Sequence, residues 1–289
     1  MSVSAESDPE LFWGLRGGGG NFGIVTWFDF RLRPVPPVVN YLDLVFSVRD
    51  APIILEAYRA MASGLGREAT SYLGLQDARA MDGIPAESVG RPIVWVGAVV
   101  IDGHPDMDAI VRPLREAARP VAEIPATVPF RDLQRSSSEA PGTRRRRYWK
   151  GNYVTELSDA FIADFLGGDL DPDWSLAGEL EMVQLGGAIN DVASDATAYA
   201  QRDAEFDVLA IGYWDDPAED DARISALRAA ADRLSPYASG VYLNNLLDDG
   251  EDRVRAAFRD DRFDRLRRLK TRMDPDNVFH RNANIPPAT

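Results

Sequence analysis

Cysteine is absent from this chain of 289 residues, and histidine occurs only twice, as His104 and His280. Without cysteine, the chain cannot form disulfides, thiolate nucleophiles, Cys-ligated zinc sites or iron–sulfur clusters. Two histidines far apart in sequence exclude a zinc site built on several imidazoles, and they leave two candidates for the base of a Ser-His-Asp triad. We therefore expect no metal site.

Positive charge and long apolar runs are also in short supply. Lys and Arg number 32 against 46 Asp and Glu, which gives a net charge of −14. A surface with this charge repels nucleic acid and anionic membranes, so neither is expected as a partner. The longest apolar run, residues 93–101, is too short to span a bilayer, and residues 1–8 lack the basic and apolar regions of a secretory signal. A cytoplasmic location is the default expectation.

Apolar periodicity predicts strands and helices in a mixed order. The predicted strands are residues 24–31, 41–48, 71–75, 92–101, 179–190, 205–214 and 241–246. The predicted helices are residues 51–65, 104–118, 218–234 and 253–273, the last as one or two helices. Because strands often follow one another directly, the pattern favours the α+β class, with an antiparallel sheet covered by helices, over a doubly wound parallel sheet.

The most informative stretch is a glycine loop, residues 17–23, which reads Gly-Gly-Gly-Gly-Asn-Phe-Gly. Its glycines formally match G-x-G-x-x-G, but a strand pattern follows the loop where the dinucleotide-binding fold requires a helix. Backbone without Cβ atoms can still approach an anion or a flat ring closely. A ligand-binding loop and a flexible turn are both compatible with this composition.

Two terminal segments resemble one protein family. Residues 8–26 are similar to the segment that closes the FAD-binding domain in berberine-bridge-enzyme-like FAD-linked oxidases, which belong to the larger vanillyl-alcohol-oxidase group. Residues 242–286 resemble the C-terminal module of the same family. Between them, residues 147–150, 186–189 and 195–198 also match, so the resemblance covers nearly the whole chain.

The resemblance implies a chain divided between two domains. Residues 1–35 and 241–289 would form the remnant of an FAD-binding domain, and residues 36–240 a substrate domain whose sheet and helices cover the isoalloxazine ring. FAD is the implied cofactor, with contacts from both ends of the chain. The residues concerned are Gly17, Gly18, Gly19, Gly20, Asn21, Phe22, Gly23, Asn244, Asn282 and Asn284.

One departure from the family pattern falls near the implied active site. The family commonly has Tyr-x-Asn-Tyr where this chain has Tyr242-Leu243-Asn244-Asn245. The second tyrosine, usually near the flavin, is thus replaced by an amide, which cannot act as a general base at neutral pH. Tyr242 remains the catalytic candidate, with an ordinary core tyrosine as the alternative. The residues expected to contact substrate are Trp149, Lys150, Gln184 and Asn245.

Members of the family carry a larger part of the FAD-binding domain before the segment at residues 8–26. That part holds the pyrophosphate loop and the histidine, often with a cysteine, that attach flavin covalently. We expect it to be supplied by a second chain, to have been lost, or to be missing because the sequence is a fragment. The chain by itself is therefore expected to bind FAD weakly or not at all. It is also expected to associate with a second copy or with a separately encoded N-terminal half.

An aspartate repeat offers a weaker pattern. Asp169, Asp171 and Asp173 open like an EF-hand loop, but Trp174 and Leu180 occupy the positions that require glycine and glutamate. A surface loop is therefore the favoured interpretation.

Charged side chains in the middle of the chain are equally unspecific. The four arginines at residues 144–147 are typical of a solvated face, with anion binding as the alternative. Glu179, Glu181 and Asp191 are the best-placed carboxylates for proton transfer, but nothing in the sequence distinguishes them from surface acids.

Three functions stay open at this point. The first is a subunit or truncated form of an FAD-linked oxidoreductase, which oxidises a small organic or natural-product substrate by hydride transfer to flavin. The second is a cofactor-free cyclase on the same scaffold, whose catalysis would come mainly from positioning. The third is a non-catalytic binding protein.

Overall fold

The computed structural model describes residues 1–81, 83–101, 106–136, 145–167, 178–246, 250–281 and 283–288. The strands are β1 (Val38–Ser47), β2 (Ala69–Asp77), β3 (Pro92–Val100), β4 (Ala122–Pro129), β5 (Arg146–Val154), β6 (Glu179–Gln184) and β7 (Phe206–Trp214). The α-helices are α1 (Pro9–Leu15), α2 (Ala51–Ser63), α3 (Met107–Ala117), α4 (Phe130–Ser136), α5 (Asp159–Leu166), α6 (Asp220–Leu234), α7 (Glu251–Phe258) and α8 (Asp260–Met273).

The strands form one antiparallel sheet in the order β4-β1-β3-β2-β6-β7-β5. Helices α2, α3, α5 and α6 bury their apolar sides against one face of it. Because side chains alternate along a strand, Val208 and Ala210 of β7 lie beneath these helices, whereas Asp207 and Leu209 lie on the opposite face. We call that opposite face the cavity face. The predicted α+β class with a helix-covered antiparallel sheet is confirmed.

A second apolar cluster joins the start of the chain to its end. This terminal cluster contains Trp13 and Phe22 from the first segment and Phe263 and Ile285 from the last. The guanidinium of Arg265 lies 3.8 Å from the centre of the Trp13 ring, which adds a cation–π contact between the two segments. The two ends of the chain therefore share one core, although the predicted boundaries at residues 35 and 241 stay a prediction.

A buried ion pair fixes the glycine loop to the C-terminal segment. Lys270 is fully buried, and its ammonium donates to the Asn21 carbonyl at 2.9 Å, to Asp274 Oδ2 at 2.6 Å and to the Phe279 carbonyl at 2.7 Å. Burial opposes ionisation of Asp274, but the hydrogen bonds from Lys270 and from two backbone N–H groups outweigh it and lower the pKa of Asp274 to about 2. Because each ammonium proton has an acceptor, the charge is compensated inside the fold.

The strand predicted at residues 24–31 is wrong. This segment forms no ladder with any described strand, and its side chains are exposed, with Ile24 at 82%, Trp27 at 81% and Phe30 at 72%. The alternating pattern is present in the sequence, but an extended segment needs a neighbouring strand to become part of a sheet. The expected burial of Phe28 and Phe30 is wrong for the same reason; their rings stack on each other, with centroids 5.6 Å apart.

Two further predicted strands are shortened or replaced. β6 ends at Gln184 instead of residue 190, because Gly186 and Gly187 turn the chain with φ angles of 90° and 53°. Residues 241–246 form no strand but a single 3-10 turn, Leu243–Asn245. None of the helices in the described ranges is both long and apolar enough to cross a membrane.

Candidate functional site

A cavity of about 590 Å³ opens between the cavity face of the sheet and the terminal cluster. This volume lies in the range of small-molecule sites. Its walls come from the glycine loop, from β5 and β7, from residues 185–202 and from the turn at residues 241–244. The polar side chains that line it are Tyr153, Tyr199, Arg202, Asp207, Tyr242 and Asn244.

The glycine loop forms one wall of the cavity with backbone instead of side chains. Gly17 has a φ of 129°, and a Cβ there would lie 2.7 Å from Cα of Tyr199. Gly19 has a φ of 67°, and a Cβ there would lie 3.0 Å from Cδ2 of Leu243. Both positions favour glycine through the backbone angle and through crowding, so the loop can approach the other walls closely.

The other glycines near the loop do not line the cavity. A Cβ on Gly14 of α1 would collide with Leu269 of α8, and a Cβ on Gly18 would lie 2.5 Å from the Gly14 carbonyl oxygen. These two glycines let α1 pack tightly on α8. Gly20 and Gly23 have no atom within 4 Å of the same position, so they form an open turn.

Asn21 and Phe22, two of the predicted cofactor contacts, have side chains that contact other parts of the protein interior. The Asn21 amide donates to the carbonyls of Gly18 at 2.9 Å and Ala283 at 3.0 Å, and its oxygen accepts from the Ile285 N–H at 2.9 Å. The Phe22 side chain is buried in the terminal cluster. Both side chains therefore hold the loop in place and do not line the cavity.

Three tyrosines gather on one side of the cavity. The Tyr153 ring on β5 contacts the rings of Tyr199 and Tyr242, with centroid distances of 6.4 Å and 6.0 Å. The Tyr199 hydroxyl donates to the Tyr153 hydroxyl at 3.2 Å, and the Asn244 amide donates to the Tyr242 hydroxyl at 2.9 Å. Burial raises the pKa of both Tyr153 and Tyr199, so these two phenols stay neutral and serve as hydrogen-bonding groups.

Asp207 brings a carboxyl group to the cavity from the second residue of β7. It pairs across the sheet with Tyr153 on one side and Val183 on the other. The Asn245 amide donates to its Oδ2 at 3.2 Å, whereas Oδ1 is buried without a partner among the described residues. Burial raises the pKa of Asp207 to about 7, with a further contribution from the charge of Glu181, although the bond from Asn245 opposes the rise.

Sequence reasoning missed Asp207, although a signal was present. It is the sole acidic residue in the otherwise apolar and aromatic strand Phe206–Trp214, two residues after Glu205. A charged residue inside such a strand indicates a polar site on one face of the sheet.

Arg202 supplies a positive charge to the same cavity. Its guanidinium lies 4.6 Å from the centre of the Tyr199 ring and donates to the Ile189 carbonyl at 2.8 Å and to Thr197 Oγ1 at 2.9 Å. Its Nε is buried and has no partner among the described residues. Burial lowers the pKa of Arg202, whose side chain lines the cavity.

The predicted substrate contacts are divided between the two faces of the sheet. Trp149 pairs with Ile211 and lies on the cavity face, while its neighbour Lys150 lies on the helix-covered face, because adjacent side chains alternate. Gln184 also lies on the helix-covered side, where its amide bonds Ser71 Oγ and the Ala62 carbonyl. The structure therefore does not bring Lys150 and Gln184 to the cavity.

The remaining predicted site residues are not among those that line the cavity. Asn245 reaches Asp207 as described, and Asn284 is half-buried outside the cavity wall, with an Oδ1 that lacks a partner in the described structure. Asn282, His104 and Asp169 with its neighbouring aspartates lie outside the described residues. Within the described ranges, no three acidic or histidine side chains come together as a metal site.

Comparison with known proteins connects this architecture to one family. The family model described as "Berberine and berberine like" matches residues 241–286, which carry the turn that lines the cavity. The chain is 27% identical over 294 residues to the uncharacterized FAD-linked oxidoreductase YgaK of Bacillus subtilis. It is 25% identical to the aclacinomycin-N/aclacinomycin-A oxidase of Streptomyces galilaeus. Each alignment covers 99% of this chain but about 60% of the relative, 61% and 60% respectively.

A solved structure shares the fold over the same extent. The BBE-like 1 protein of Physcomitrella patens superposes with a TM-score of 0.82 at 18% identity, covering 99% of this chain and 62% of its own. The resemblance drawn from the terminal motifs is thus confirmed. The chain is similar to the C-terminal portion of berberine-bridge-enzyme-like FAD-linked oxidoreductases and spans about three-fifths of the length of the curated relatives it matches.

Proposed function

We propose that the cavity is the flavin- and substrate-facing site of an FAD-linked oxidoreductase that oxidises a small organic molecule by hydride transfer. The supporting observation is the meeting of three features around one space: the glycine loop, the turn at residues 241–244, and Tyr153 with Asp207 on the sheet. Relatives that are oxidoreductases, one of them named as FAD-linked, support the same reaction class.

The residues present fit part of a flavin. The backbone at Gly17 and Gly19 offers a wall without Cβ atoms, which suits a flat ring, and the three tyrosines supply aromatic surface. The guanidinium of Arg202, which lines the cavity, would donate to a carbonyl oxygen or an anionic group of a bound molecule. When bound, the flavin supplies a two-electron acceptor for a hydride.

This chain's own residues would orient the substrate and handle its proton. Tyr153 and Tyr199, held neutral by burial, would hydrogen-bond a polar group of the substrate. Tyr242, fixed by Asn244, would support it from the same side of the cavity. The apolar side chains of Leu15, Leu185 and Phe258 would exclude water, which strengthens each polar contact inside the site.

The exposed segment at residues 24–35 is proposed to bind a partner polypeptide. Residues 24–35 follow the glycine loop in sequence, and their large apolar side chains are exposed. An apolar patch of this kind is typical of an interaction surface. A second copy of this chain or a separate FAD-binding polypeptide would cover it. In either case the partner would contact the segment beside the cavity wall.

Flavin fluorescence tests the assignment of the cavity. We expect the chain to quench the fluorescence of FAD with a dissociation constant weaker than micromolar, because it spans only about three-fifths of the length of its FAD-linked relatives. Leu185→Trp fills the cavity and should abolish the quenching, whereas Val278→Trp, at a position 65% exposed, should leave it unchanged. Quenching that survives Leu185→Trp, or no quenching at millimolar concentrations, would contradict the proposal.

A further inference from the structure

The exposed segment at residues 24–35 is a straight stretch of chain without a neighbouring strand. It contains no turn or bend, and its backbone makes no hydrogen bond to the rest of the described chain. Both of its alternating sets of side chains are exposed, so neither side of the segment rests on the protein. Unpaired backbone groups flanked by apolar side chains are a template on which a further strand can pair.

We infer that this segment pairs antiparallel with the same segment of a second copy of the chain, with Phe30 opposite Phe30 of the second copy. The inference rests on the partner surface of the proposed function and narrows its occupant to one. It does not depend on the assignment of the cavity to flavin. The same surface is used by both copies, so the contact has two-fold symmetry and closes at a dimer.

The charged side chains of the segment select this register. With Phe30 at the centre, Asp29 of each copy lies opposite Arg31 of the other copy, and all of these side chains are exposed. Moving the centre by one residue instead places Asp29 opposite Asp29, or Arg31 opposite Arg31. Opposite charges that face each other across an antiparallel pair stabilise it, whereas like charges destabilise it. The register centred on Phe30 is therefore favoured over both of its neighbours.

The apolar and aromatic side chains agree with the same register. Phe28 of one copy lies opposite Leu32 of the other, and Phe30 meets its own counterpart, so one face of the two-stranded ribbon is apolar. The Phe28 and Phe30 rings stack with centroids 5.6 Å apart within one chain, which places both on the same side of the segment. On the other face Trp27 lies opposite Arg33, a combination suited to a cation–π contact.

Proline fixes which edge of the segment stays on the outside of the ribbon. When Asp29 and Arg31 form the hydrogen-bonded pair, the N–H groups that face the second copy belong to the odd-numbered residues 25–35, none of which is proline. Pro34 and Pro36, which lack an N–H, then lie on the outer edge, where they hinder the addition of a third strand. Because one pair of strands is only marginally stable in water, we expect the dimer to dissociate on dilution.

Disulfide trapping tests the register in the full chain, which contains no cysteine of its own. In the inferred pairing the Cα atoms of the two Phe30 residues lie about 4.5–5.5 Å apart, a distance that a disulfide can bridge. Phe30→Cys should therefore form a covalent dimer under mild oxidation. Phe28→Cys is the matched control on the same face, because the two copies of residue 28 are offset by four residues, about 13 Å along the strand. It should stay largely monomeric.

Charge reversal tests the same register without a cross-link. Sedimentation velocity over a range of concentrations gives the dissociation constant of the dimer. Asp29→Arg turns two opposite-charge pairs into like-charge pairs and should raise this constant about tenfold. The double variant Asp29→Arg, Arg31→Asp restores both pairs and should return the constant to the wild-type value. Both positions are exposed, so neither change should disturb the fold.

Three results would overturn the inference. Equal cross-linking of Phe30→Cys and Phe28→Cys, or a double variant that associates as weakly as Asp29→Arg, would contradict the register. A chain that stays monomeric at every concentration would contradict pairing with a second copy and leave a separate FAD-binding polypeptide as the occupant of the segment. If that monomer still quenches FAD fluorescence, the assignment of the cavity stands, so the two failures are distinguishable.

Discussion

Gly17→Ala tests whether the glycine loop is built by close backbone contact. The φ of 129° at Gly17 is one that residues with a Cβ rarely adopt. The new methyl carbon would lie 2.7 Å from Cα of Tyr199 and 2.9 Å from the carbonyl carbon of Ala198, with the Tyr199 nitrogen nearer still. These are backbone atoms, and the Tyr199 N–H donates to the Arg16 carbonyl at 3.2 Å, so relief by movement would break a hydrogen bond.

The magnitude follows from two costs. Holding alanine at this backbone angle costs about 1–3 kcal/mol, and forcing a methyl group into packed surroundings costs a further 1–3 kcal/mol or so. The free energy of unfolding should therefore fall by about 2–6 kcal/mol. Gly20→Ala is the matched control, because no atom lies within 4 Å of the new Cβ and its φ is outside the positive range. That change should stay within about 0.5 kcal/mol or stabilise slightly.

Urea unfolding followed by tryptophan fluorescence measures both variants, since Trp13 lies in the terminal cluster beside the loop. The close backbone contact at Gly17 predicts a lower urea midpoint for Gly17→Ala at an unchanged slope, and a midpoint near wild type for Gly20→Ala. Equal stability of the two variants would refute it. That result would mean that the loop moves freely away from residues 198 and 199 and is not a fixed wall of the cavity.

Three further predictions concern the core, the cavity and the exposed segment. Lys270→Met removes the counter-charge of buried Asp274 and the donor to the carbonyls of Asn21 and Phe279, and it should lower the free energy of unfolding in urea by about 3–5 kcal/mol. Arg268→Met, on the exposed side of α8, should change stability little. Because burial raises the pKa of Asp207 to about 7, the folded chain binds more protons than the unfolded chain between about pH 4 and 7, and stability falls as pH rises through this window. The advantage of Asp207→Asn over wild type should grow across the same window by up to about 4 kcal/mol; a constant difference would contradict the shift. Light scattering should show a mass that rises with concentration and a weaker rise in a Phe30→Ser, Leu32→Ser double variant; a monomer throughout would argue against association.

The sheet could be predicted where strands are apolar and continuous. Residues 41–48, 92–101 and 205–214 were found within a few residues of β1, β3 and β7. β4 was missed because Pro125 and Pro129 interrupt it, and these are tolerated only because β4 is an edge strand. β5 was missed because it begins within the run of arginines, which local pattern assigns to a solvated face.

The site was predictable only in part, because its geometry depends on non-local pairing. The glycine loop and the turn at residues 241–244 were recognised from their motifs, and both line the cavity. Asp207 was not recognised, since its position beside Tyr153 follows from the pairing of β7 with β5, strands more than fifty residues apart in sequence. The segment at residues 24–31 shows the converse: a strand pattern forms no strand when the described chain offers it no partner.

Of the residues predicted from the sequence to bind the cofactor, some hold the glycine loop in place and others line the cavity. Lys270 holds the Asn21 carbonyl, and the Asn21 side chain holds the Gly18 carbonyl and the Ile285 N–H. A buried ion pair therefore sets the path of the loop, and the loop in turn places the bare backbone of Gly17 against the cavity. Side chains with satisfied hydrogen bonds are fixed in the fold, so the chemistry falls to the groups left unsatisfied inside the cavity. Asp207 Oδ1 is one of them, and burial raises the pKa of this carboxyl group to about 7.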